Sequence, residues 1–236
     1  MNVYENLNLT ELLKHNAYPG RGIVVGKTAD GKYAAVAYFI MGRSVNSRNR
    51  IFTETEDGIR TEAHDPSKMV DPSLIIYHPV RLVGESLVVT NGDQTDTVRD
   101  GLLDGKSFAE SLRTRCFEPD GPNWTPRISA LLEKDGSYQM SILKSADLEG
   151  SACARYTYEY PGIAGVGHFL HTYACDGDPL PTFCGEPERV TIEGDLDTFT
   201  ANVWNNLNED NKISLYTCFR NLETGEITAK ILNKHL

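Results

Sequence analysis

Strand-like segments dominate the first half of the chain, and they occur in a block rather than alternating with helices. Short apolar and β-branched runs, separated by Gly, Pro, Asn or Asp, predict strands at IVV (23–25), YAAVAYFIM (33–41), RIFTETE (50–56), SLIIYH (73–78), VRLVG (80–84) and SLVVT (86–90). Two helical segments follow, TDTVRDGLLDG and SFAESLRTRCF, and Ser107 and Glu110 have the spacing of a capping box. Blocks of this kind favour an α+β fold with antiparallel sheets.

The second half of the chain continues in the same way. RISALLEKDGSYQMSILK predicts a hairpin with Asp135 and Gly136 in its turn, and YTYEYP, VGHFLHTY, ISLYTCFRNL and EITAKIL predict further strands. Helical spacing of apolar residues predicts one amphipathic helix, with Leu196, Phe199, Val203, Trp204 and Leu207 on its buried face. Because no repeat, low-complexity tract or linker divides residues 1–236, we expect a single domain in which two sheets pack face to face under outer helices.

Charge and apolar content exclude several classes of partner. The formal net charge of −10 argues against nucleic acid and anionic membranes, since both bind cationic surfaces. The apolar runs fall short of the roughly 20 residues of a membrane span, and the polar, acidic start differs from a signal peptide. We therefore expect a cytoplasmic protein, whose antiparallel sheet edges and exposed helices are compatible with a homo-oligomer.

The five cysteines form no CxxC pair and are odd in number. A chain of this size does not depend on disulfides for its stability. We expect reduced, mostly buried thiols at Cys116, Cys153, Cys175, Cys184 and Cys218.

Arginines are concentrated between positions 21 and 50. Arg21, Arg43, Arg48 and Arg50 lie in this span, near Gly, Ser and Asn. Guanidinium groups suit bidentate contact with phosphate, so the cluster is compatible with a pocket for a small anion. A solvated turn with scattered surface charge is the other interpretation, and the sequence leaves both open.

YPGRGIVVGKT (18–28) has the appearance of a phosphate-binding P-loop but fails its requirements. The motif G-x-x-x-x-G-K-[ST], if it ended in Gly26-Lys27-Thr28, would require glycine at position 21, where arginine stands. Residues 23–25 are a β-branched strand run, and the residues after Thr28 predict a turn and a strand rather than a helix. The segment is therefore predicted to be the first strand of a β-rich fold, with Arg21 near its start.

Five segments carry a resemblance to a known family. GRGIVVGKT, the GRS of FIMGRSVNSRNR, SLIIYH, VVTNGDQTD and FEPDGPNWTPRI occur in that order. The set resembles the archaeal-type IMP cyclohydrolase family and its bacterial relatives, most clearly over residues 19–132 and more weakly to about Lys144. The resemblance implies a four-layer αββα sandwich of two mainly antiparallel sheets, as in N-terminal-nucleophile hydrolases but without autoprocessing. Residues after about 150 are then expected to be an extension or a divergent half.

The resemblance also implies an enzyme and a substrate. In the family reaction, 5-formamidoimidazole-4-carboxamide ribonucleotide closes its ring and loses water to give IMP. Such a ring closure needs positioning, one acid–base group and donors to the developing oxyanion, but no metal or redox cofactor. The implied partner is therefore a small purine nucleotide alone.

Three residues are expected to carry this chemistry. Glu118 matches an acidic position ahead of the TPRI motif and is the predicted proton-transfer group, although an isolated glutamate is by default a solvated loop carboxylate. Tyr77 matches a family tyrosine and is predicted to hold or protonate the oxygen, and Arg43 of the GRS motif is the predicted oxyanion or phosphate partner. Extra residues at 119–124 leave the register open, with Asp120 as the alternative acid.

Further substrate contacts are expected where SLVVT ends and a helix begins. The first turn of a helix has free N–H groups, and Asn91 offers a donor and an acceptor to a carboxamide. The same residues also fit a turn with a helix cap that needs no ligand, and Arg127 is expected either to bind substrate or to pair with Glu118 or Asp120. The full predicted binding set is Arg21, Ser44, Arg48, Asn91, Gly92, Asp93, Thr95 and Arg127.

Residues 168–184 contain metal-ligand types that we do not interpret as a metal site. His168 and His171 are separated by an odd number of positions, so along a strand they point to opposite faces. The spacing of Cys175 and Cys184 matches no compact zinc pattern. We assign no metal, no cofactor and no nucleophile.

Two functional classes stay open at this point. One is the cyclohydrolase, and the other is a purine-nucleotide-binding protein that has kept the pocket and lost or altered turnover, with a related amide hydrolase as a third alternative. Binding alone requires the arginines and Asn91 but tolerates the loss of Glu118.

Overall fold

Two antiparallel sheets form the centre of the molecule. The computed structural model describes residues 4–69, 72 and 75–235. A six-stranded sheet has the order β11-β10-β1-β2-β12-β13. Its strands are β1 (Arg21–Lys27), β2 (Tyr33–Met41), β10 (Val166–His171), β11 (Glu188–Thr191), β12 (Lys212–Asn221) and β13 (Ile227–Asn233).

The second sheet has seven strands that follow one another in chain order, β3 to β9. They are β3 (Ile51–Thr55), β4 (Gly58–Glu62), β5 (Val80–Val83), β6 (Ser86–Thr90), β7 (Arg127–Leu132), β8 (Tyr138–Ser145) and β9 (Cys153–Tyr160). Each neighbouring pair is antiparallel, from Ile51 opposite Glu62 to Ser145 opposite Cys153.

Helices cover the outer faces of both sheets. The described helices are α1 (Leu9–His15), α2 (Val45–Arg48), α3 (Gln94–Leu103), α4 (Phe108–Ser111) and α5 (Leu196–Asn206), with 3-10 turns at Pro66–Lys68 and Leu112–Thr114, and of these α2 buries none of its residues. Apolar residues of α1 and α5 pack on the six-stranded sheet, and those of α3 and α4 pack on the seven-stranded sheet. The predicted α+β sandwich of four layers, αββα, is therefore confirmed.

Strand β2 shows how the layers are specified. Val36, Tyr38 and Ile40 belong to the core between the two sheets, whereas Ala37 and Phe39 belong to the core beneath α1 and α5. Successive side chains of a strand point to opposite faces, so a strand covered on both faces is apolar throughout. Burial of each large aliphatic side chain contributes about 1.5–3 kcal/mol, which makes this central strand a main source of stability.

Most predicted elements are present. The hairpin of β7 and β8 turns at Asp135 and Gly136, where Gly136 has a φ of 85°, and the capping box of Ser107 and Glu110 is formed. Helix α5 matches the predicted amphipathic helix. The sequence interpretation missed β4, β11 and α2. None of the helices in the described part of the chain is long and apolar enough to span a membrane.

The predicted strand SLIIYH is wrong in its described part. Residues 73 and 74 lie outside the described residues, and residues 75–78 form a turn in which the Ile75 N–H donates to the Pro72 carbonyl at 3.1 Å. Pro72 and Pro79 bracket the segment, and neither has an N–H to donate to a sheet. Tyr77 is nevertheless fixed, because its N–H donates to Thr61 Oγ1 at 2.8 Å and its carbonyl accepts the Thr61 N–H at 2.9 Å.

The expectation that the cysteines are mostly buried is also wrong. Cys116, Cys175 and Cys184 are exposed, Cys153 is half-buried, and Cys218 is buried. Only Cys218 lies in the interior of a central strand, β12. The exposed three lie in connecting segments, which run over the surface of a folded chain.

Candidate active site

Buried Arg50 and half-buried Arg21 meet at one end of the space between the sheets. Arg21 begins β1 and Arg50 immediately precedes β3, so each sheet contributes one guanidinium group. Arg50 is 0% exposed, and its Nε donates to the Ser47 carbonyl at 2.8 Å. Burial and then the neighbouring Arg21 charge lower the pKa of Arg50.

Each of these two arginines retains an unused hydrogen-bond donor. Arg21 Nε and Arg50 Nη1 are buried without a hydrogen-bond partner among the described residues. Buried donors of a charged group are costly to leave unsatisfied, and two like charges in one place add to that cost. The arrangement is complementary to an anionic or strongly polar group bound between the two side chains.

Glu118 faces the same cluster. It lies between the Leu112–Thr114 turn and β7, it is 2% exposed, and its N–H donates to the Thr125 carbonyl at 2.9 Å. Burial raises the pKa of the Glu118 carboxyl, while Arg21 and then Arg127 act in the opposite direction. No direct ion pair to Glu118 is found within the described ranges, so its carboxylate is not neutralised by contact with a cation.

A pair of phenols completes the inner part of the cluster. The hydroxyl groups of Tyr77 and Tyr38 are hydrogen-bonded at 2.8 Å. Tyr38 lies in β2 and is 0% exposed, and burial raises its pKa far above the usual range. Because Tyr38 stays protonated, it fixes the orientation of the Tyr77 hydroxyl. Burial acts to lower the pKa of Arg21, whereas the neighbouring Glu118 carboxylate acts to raise it, so Arg21 belongs to the same cluster as Glu118.

A second pair of tyrosines forms the wall nearer to the loop of Glu118. Tyr18 and Tyr173 stack with ring centroids 5.9 Å apart and an interplanar angle of 15°. The Tyr173 hydroxyl lies 2.5 Å from Thr125 Oγ1, and the Thr125 N–H donates to Asp120 Oδ1 at 2.7 Å. Burial raises the pKa of Tyr173 to about 12. Asp120, the alternative acid, is therefore bonded to the backbone and hydroxyl of its own loop.

Three predicted residues lie outside this cluster, on and before α2. Ser44 is exposed and caps α2 by accepting the Ser47 N–H at 3.1 Å. Arg48 is exposed and its Nε donates to the Gly42 carbonyl at 3.0 Å. Arg43 forms an ion pair of 2.7 Å with Asp176, and its guanidinium carbon lies 5.1 Å from the centre of the Tyr18 ring. Arg43 thus stands at the rim, above the tyrosine wall.

The predicted residues after β6 form the support of Arg127. Asp93 precedes α3 and forms an ion pair of 2.7 Å with Arg127, and it also pairs with Arg115. Burial alone would raise the pKa of Asp93, but the two arginines outweigh burial and lower it. A Cβ at Gly92 would lie 2.5 Å from Arg127 Nη1, so a larger residue there would shift the end of the Arg127 side chain. The partner of Arg127 is therefore Asp93, rather than Glu118 or Asp120.

The other two residues of this segment are engaged within the protein. Asn91 Oδ1 accepts the Ile128 N–H at 2.9 Å and its Nδ2 donates to the Pro126 carbonyl at 2.8 Å. Thr95 Oγ1 lies 2.6 Å from Thr90 Oγ1. Both side chains are 0% exposed. They join β6, β7 and α3 and so hold Arg127 beside Glu118.

Sequence reasoning missed Tyr18, Tyr38, Tyr173 and the functional importance of Arg50. Tyr38 shares its strand parity with Val36 and Ile40, so it could have been placed between the sheets once β2 was known to be central. Arg50 belongs to the arginine cluster, but nothing in its neighbours distinguishes it from the exposed Arg43 and Arg48. Burial in the tertiary structure alone makes that distinction.

Two clefts elsewhere on the described structure are poorly suited to a phosphate. One of about 530 Å³ is lined by Asp93, Asp96, Asp100, Asp104 and Glu110, against only Lys106 and Arg115. Another of about 520 Å³ is lined by apolar groups together with Asp30 and Asp195. Carboxylates repel an anionic ligand, so the arginine cluster is the better candidate for an anion.

The histidines of β10 lie on opposite faces, as predicted from their odd separation. His168 stacks on Tyr160 at 3.6 Å and bonds to Tyr138, whereas His171 stacks on Phe169 at 4.6 Å. Among the described residues no group of three or more His, Cys, Asp or Glu side chains is arranged to hold a metal ion.

Fold and site together define an αββα protein with a buried cluster of arginines, phenols and one carboxylate between its sheets. A family model described as IMP cyclohydrolase-like protein matches residues 18–225. The chain therefore belongs to the IMP cyclohydrolase-like family. The match extends well beyond residue 150, so β10, α5 and β12 are part of the family domain rather than an extension.

Individual relatives agree with this assignment. The IMP cyclohydrolase of Methanococcus aeolicus is 32% identical over 162 residues, which are 67% of this chain and 75% of the relative. The IMP cyclohydrolase of Methanopyrus kandleri is 36% identical over 182 residues, which are 70% of this chain and 89% of the relative.

Proposed function

We propose that the protein is an IMP cyclohydrolase that converts 5-formamidoimidazole-4-carboxamide ribonucleotide into IMP and water. The observation that carries the proposal is the buried Glu118 carboxyl, placed with the Tyr77–Tyr38 pair around two arginines that have unused donors. Membership of the family and relatives that are named for this activity support it.

The reaction makes one bond and then expels water. The carboxamide nitrogen attacks the formyl carbon, and the formyl oxygen acquires negative charge and a proton. The resulting hydroxyl group leaves as water with a second proton, the former formamido nitrogen loses its own proton, and the C=N bond that forms completes the aromatic ring of IMP. Because an amide nitrogen is a poor nucleophile, the site must remove its proton and stabilise the oxyanion at the same time.

Glu118 is the proposed acid–base group. As a carboxylate it accepts the proton of the attacking nitrogen, and as an acid it returns a proton to the departing hydroxyl. Burial raises its pKa, and a carboxyl whose pKa lies closer to the working pH is better matched to both transfers. Tyr77 donates its hydrogen bond to the formyl oxygen, with Tyr38 holding the phenol in place.

The arginines share the negative charges of the substrate. Against the effect of burial, the neighbouring Glu118 carboxylate raises the pKa of Arg21, so we assign Arg21 with Arg50 to the developing oxyanion. Arg43 is exposed and lies above the Tyr18 ring, which suits a phosphate at the mouth of the site. When the phosphate of the nucleotide binds there, it replaces Asp176 as the ion-pair partner of Arg43.

The proposal treats residues 1–236 as one domain, since strands from β1 to β13 contribute to the core between the sheets. Its partner is a small purine nucleotide, and we expect the activity in the cytoplasm. A homo-oligomer is compatible with the free edges of both sheets, and sedimentation of the pure protein tests it.

The test is a direct assay of ring closure. Pure protein is supplied with the formamido nucleotide, and IMP formation is followed by ultraviolet absorbance, with nucleotide binding measured separately by calorimetry. The proposal expects turnover that saturates with substrate. Binding without turnover would instead identify the protein as a nucleotide-binding protein. If the nucleotide were neither bound nor converted, the cyclohydrolase and the nucleotide-binding function would both be refuted.

A further inference from the structure

The two residues that follow β10 hold the start of β1 in place. The Thr172 N–H donates to the Arg21 carbonyl at 3.0 Å, and Thr172 Oγ1 accepts the Arg21 N–H at 3.1 Å. The Tyr173 N–H donates to the Pro19 carbonyl at 3.2 Å. Gly20 packs directly on both residues, since a Cβ there would lie 2.3 Å from Thr172 Oγ1 and 2.5 Å from the Tyr173 ring. The backbone of Arg21 is therefore fixed to residues 172 and 173.

The Tyr173 side chain extends from this point to the loop that carries Glu118. The Tyr173 hydroxyl lies 2.5 Å from Thr125 Oγ1, and Thr125 Oγ1 donates to Asp120 Oδ2. A threonine hydroxyl has one proton and an ionised carboxylate only accepts, so Tyr173 donates to Thr125. The Glu118 N–H in turn donates to the Thr125 carbonyl at 2.9 Å. A chain of hydrogen bonds therefore connects the segment of Arg21 with the segment of Glu118.

This hydroxyl bridge, Tyr173–Thr125–Asp120, is shielded from water. Tyr173 is 2% exposed and Thr125 is 0% exposed, so solvent offers little replacement for a lost bond. A separate bond, from the Leu180 N–H to Asn123 Oδ1 at 2.9 Å, also joins the chain after Tyr173 to the same loop. Loss of the hydroxyl bridge should therefore shift the loop without detaching it.

We propose that Tyr173 is a positioning residue, whose hydroxyl holds the loop of Glu118 at a fixed separation from Arg21 through Thr125 and Asp120. The role rests on the proposed function, in which Glu118 transfers protons while Arg21 stabilises the developing oxyanion. Arg21 begins a strand of the six-stranded sheet, whereas Glu118 precedes β7 of the seven-stranded sheet. Both must meet one substrate, and the hydroxyl bridge joins the two segments that carry them.

The first experiment replaces Tyr173 by phenylalanine, which removes the hydroxyl and keeps the ring that stacks on Tyr18. A displacement of about 1 Å can cost about 10²-fold in rate, so we expect kcat to fall by about tenfold to 10²-fold. Nucleotide affinity in calorimetry should fall much less than kcat, because the arginines that are proposed to bind the anionic groups remain.

Tyr138→Phe is the matched control. Tyr138 is also 2% exposed, and its hydroxyl bonds to His168 Nδ1 at 2.7 Å. His168 lies opposite Val25, four positions along β1 from Arg21. Each variant loses one buried hydrogen bond of a phenol, so thermal unfolding should report similar losses of stability. Only Tyr173→Phe should lower kcat.

The second experiment tests the hydroxyl bridge as a unit. Thr125→Val should lower kcat to a similar extent, and Thr125→Ser, which keeps the hydroxyl, should recover most of that loss. Tyr173→Phe combined with Thr125→Val should lose about as much as either change alone, because both break the same bridge. Additive losses in the double variant would overturn the bridge.

The remaining outcomes are also decisive. An unchanged kcat in folded Tyr173→Phe, or an equal loss in Tyr138→Phe, would overturn the proposal, as would a loss of affinity as large as the loss of kcat. If wild type has no turnover, the proposed function fails, and hydrogen exchange of the Glu118 amide then decides the positioning. Exchange should be about tenfold faster in Tyr173→Phe than in Tyr138→Phe, the value of one hydrogen bond, and equal rates would overturn it.

Discussion

Replacement of Glu118 by glutamine should remove most of the turnover and leave the fold in place. Glutamine has the shape of glutamate and can still bond to a neighbour, but it cannot accept and return a proton. Glu118 is 2% exposed, so bulk water has little access to take over the transfer. The substitution therefore tests proton transfer rather than shape or solvent access.

The size of the effect can be estimated from this geometry. A positioned acid–base group contributes about 10²–10⁴-fold to a rate, which corresponds to about 2.7–5.4 kcal/mol of activation free energy. Tyr77 and the arginines remain in the variant and continue to stabilise the oxyanion. We therefore expect kcat to fall by about 10²–10³-fold, with a much smaller change in KM.

The pH dependence gives an independent test of the role of Glu118. Burial raises the pKa of this carboxyl, and the first step requires its ionised form. The kcat/KM of wild type should therefore fall as the pH drops through a value higher than that of an ordinary glutamate. The glutamine variant should lose this acidic limb, because no carboxyl is left to titrate.

The assay is absorbance of IMP formation over a pH series, with thermal unfolding of every variant as the test of folding. Glu223→Gln is the matched control, since Glu223 is an exposed turn residue distant in sequence from the site. Equal kcat values for wild type and a folded Glu118→Gln variant would refute the assigned role. A preserved acidic limb in that variant would refute the explanation of the pH profile.

Three further predictions address other parts of the structure. Tyr77→Phe should lower kcat by roughly 10–10²-fold and Tyr38→Phe by less, because only Tyr77 is proposed to contact the formyl oxygen; equal losses in steady-state kinetics would contradict this order. Arg50→Met should weaken nucleotide binding by about 10–10²-fold in calorimetry, the value of a charged hydrogen bond, without a comparable loss in urea stability, because it also removes a buried like charge. Burial, and then Arg189, lower the pKa of His168 to about 4 from the unfolded value of 6.5. The unfolded chain therefore binds more protons, and urea stability should fall by about 1–3 kcal/mol as the pH drops through this window; His168→Phe should lose that dependence.

The layers of the fold could be predicted because the apolar pattern of the main strands and helices matches the faces that these elements bury in the structure. β2 is apolar on both faces, α5 has apolar residues at helical spacing, and the turn of β7 and β8 contains Asp135-Gly136. Where they disagree, the prediction failed: SLIIYH has the composition of a strand, but Pro72 and Pro79 on its two sides cannot donate to a sheet. An apolar, β-branched composition is therefore not enough to predict a strand where the flanking residues cannot donate backbone hydrogen bonds.

Only some members of the candidate site could be predicted from the sequence. Glu118 and Tyr77 were expected from the resemblance and Arg21 from the concentration of arginines, whereas Tyr38 and Arg50 became candidates only through their burial in the tertiary structure. Asn91 and Thr95 were predicted to contact substrate, whereas their polar atoms are occupied by β6, β7 and α3. A sequence gives the hydrogen-bonding capacity of a side chain, but only the tertiary structure shows how much of that capacity is already used.

The candidate site lies between the sheets because each sheet contributes part of it. Arg21 and Tyr38 come from one sheet, while Arg50, Tyr77 and Glu118 precede or connect strands of the other. Burial of two like charges with unused donors costs stability, and neither sheet alone offers a compensating contact. The large apolar core between the sheets must offset this cost, because it forms only when both sheets pack together. Packing the sheets therefore also assembles the charges, so the anion that satisfies them should bind only to the complete sandwich.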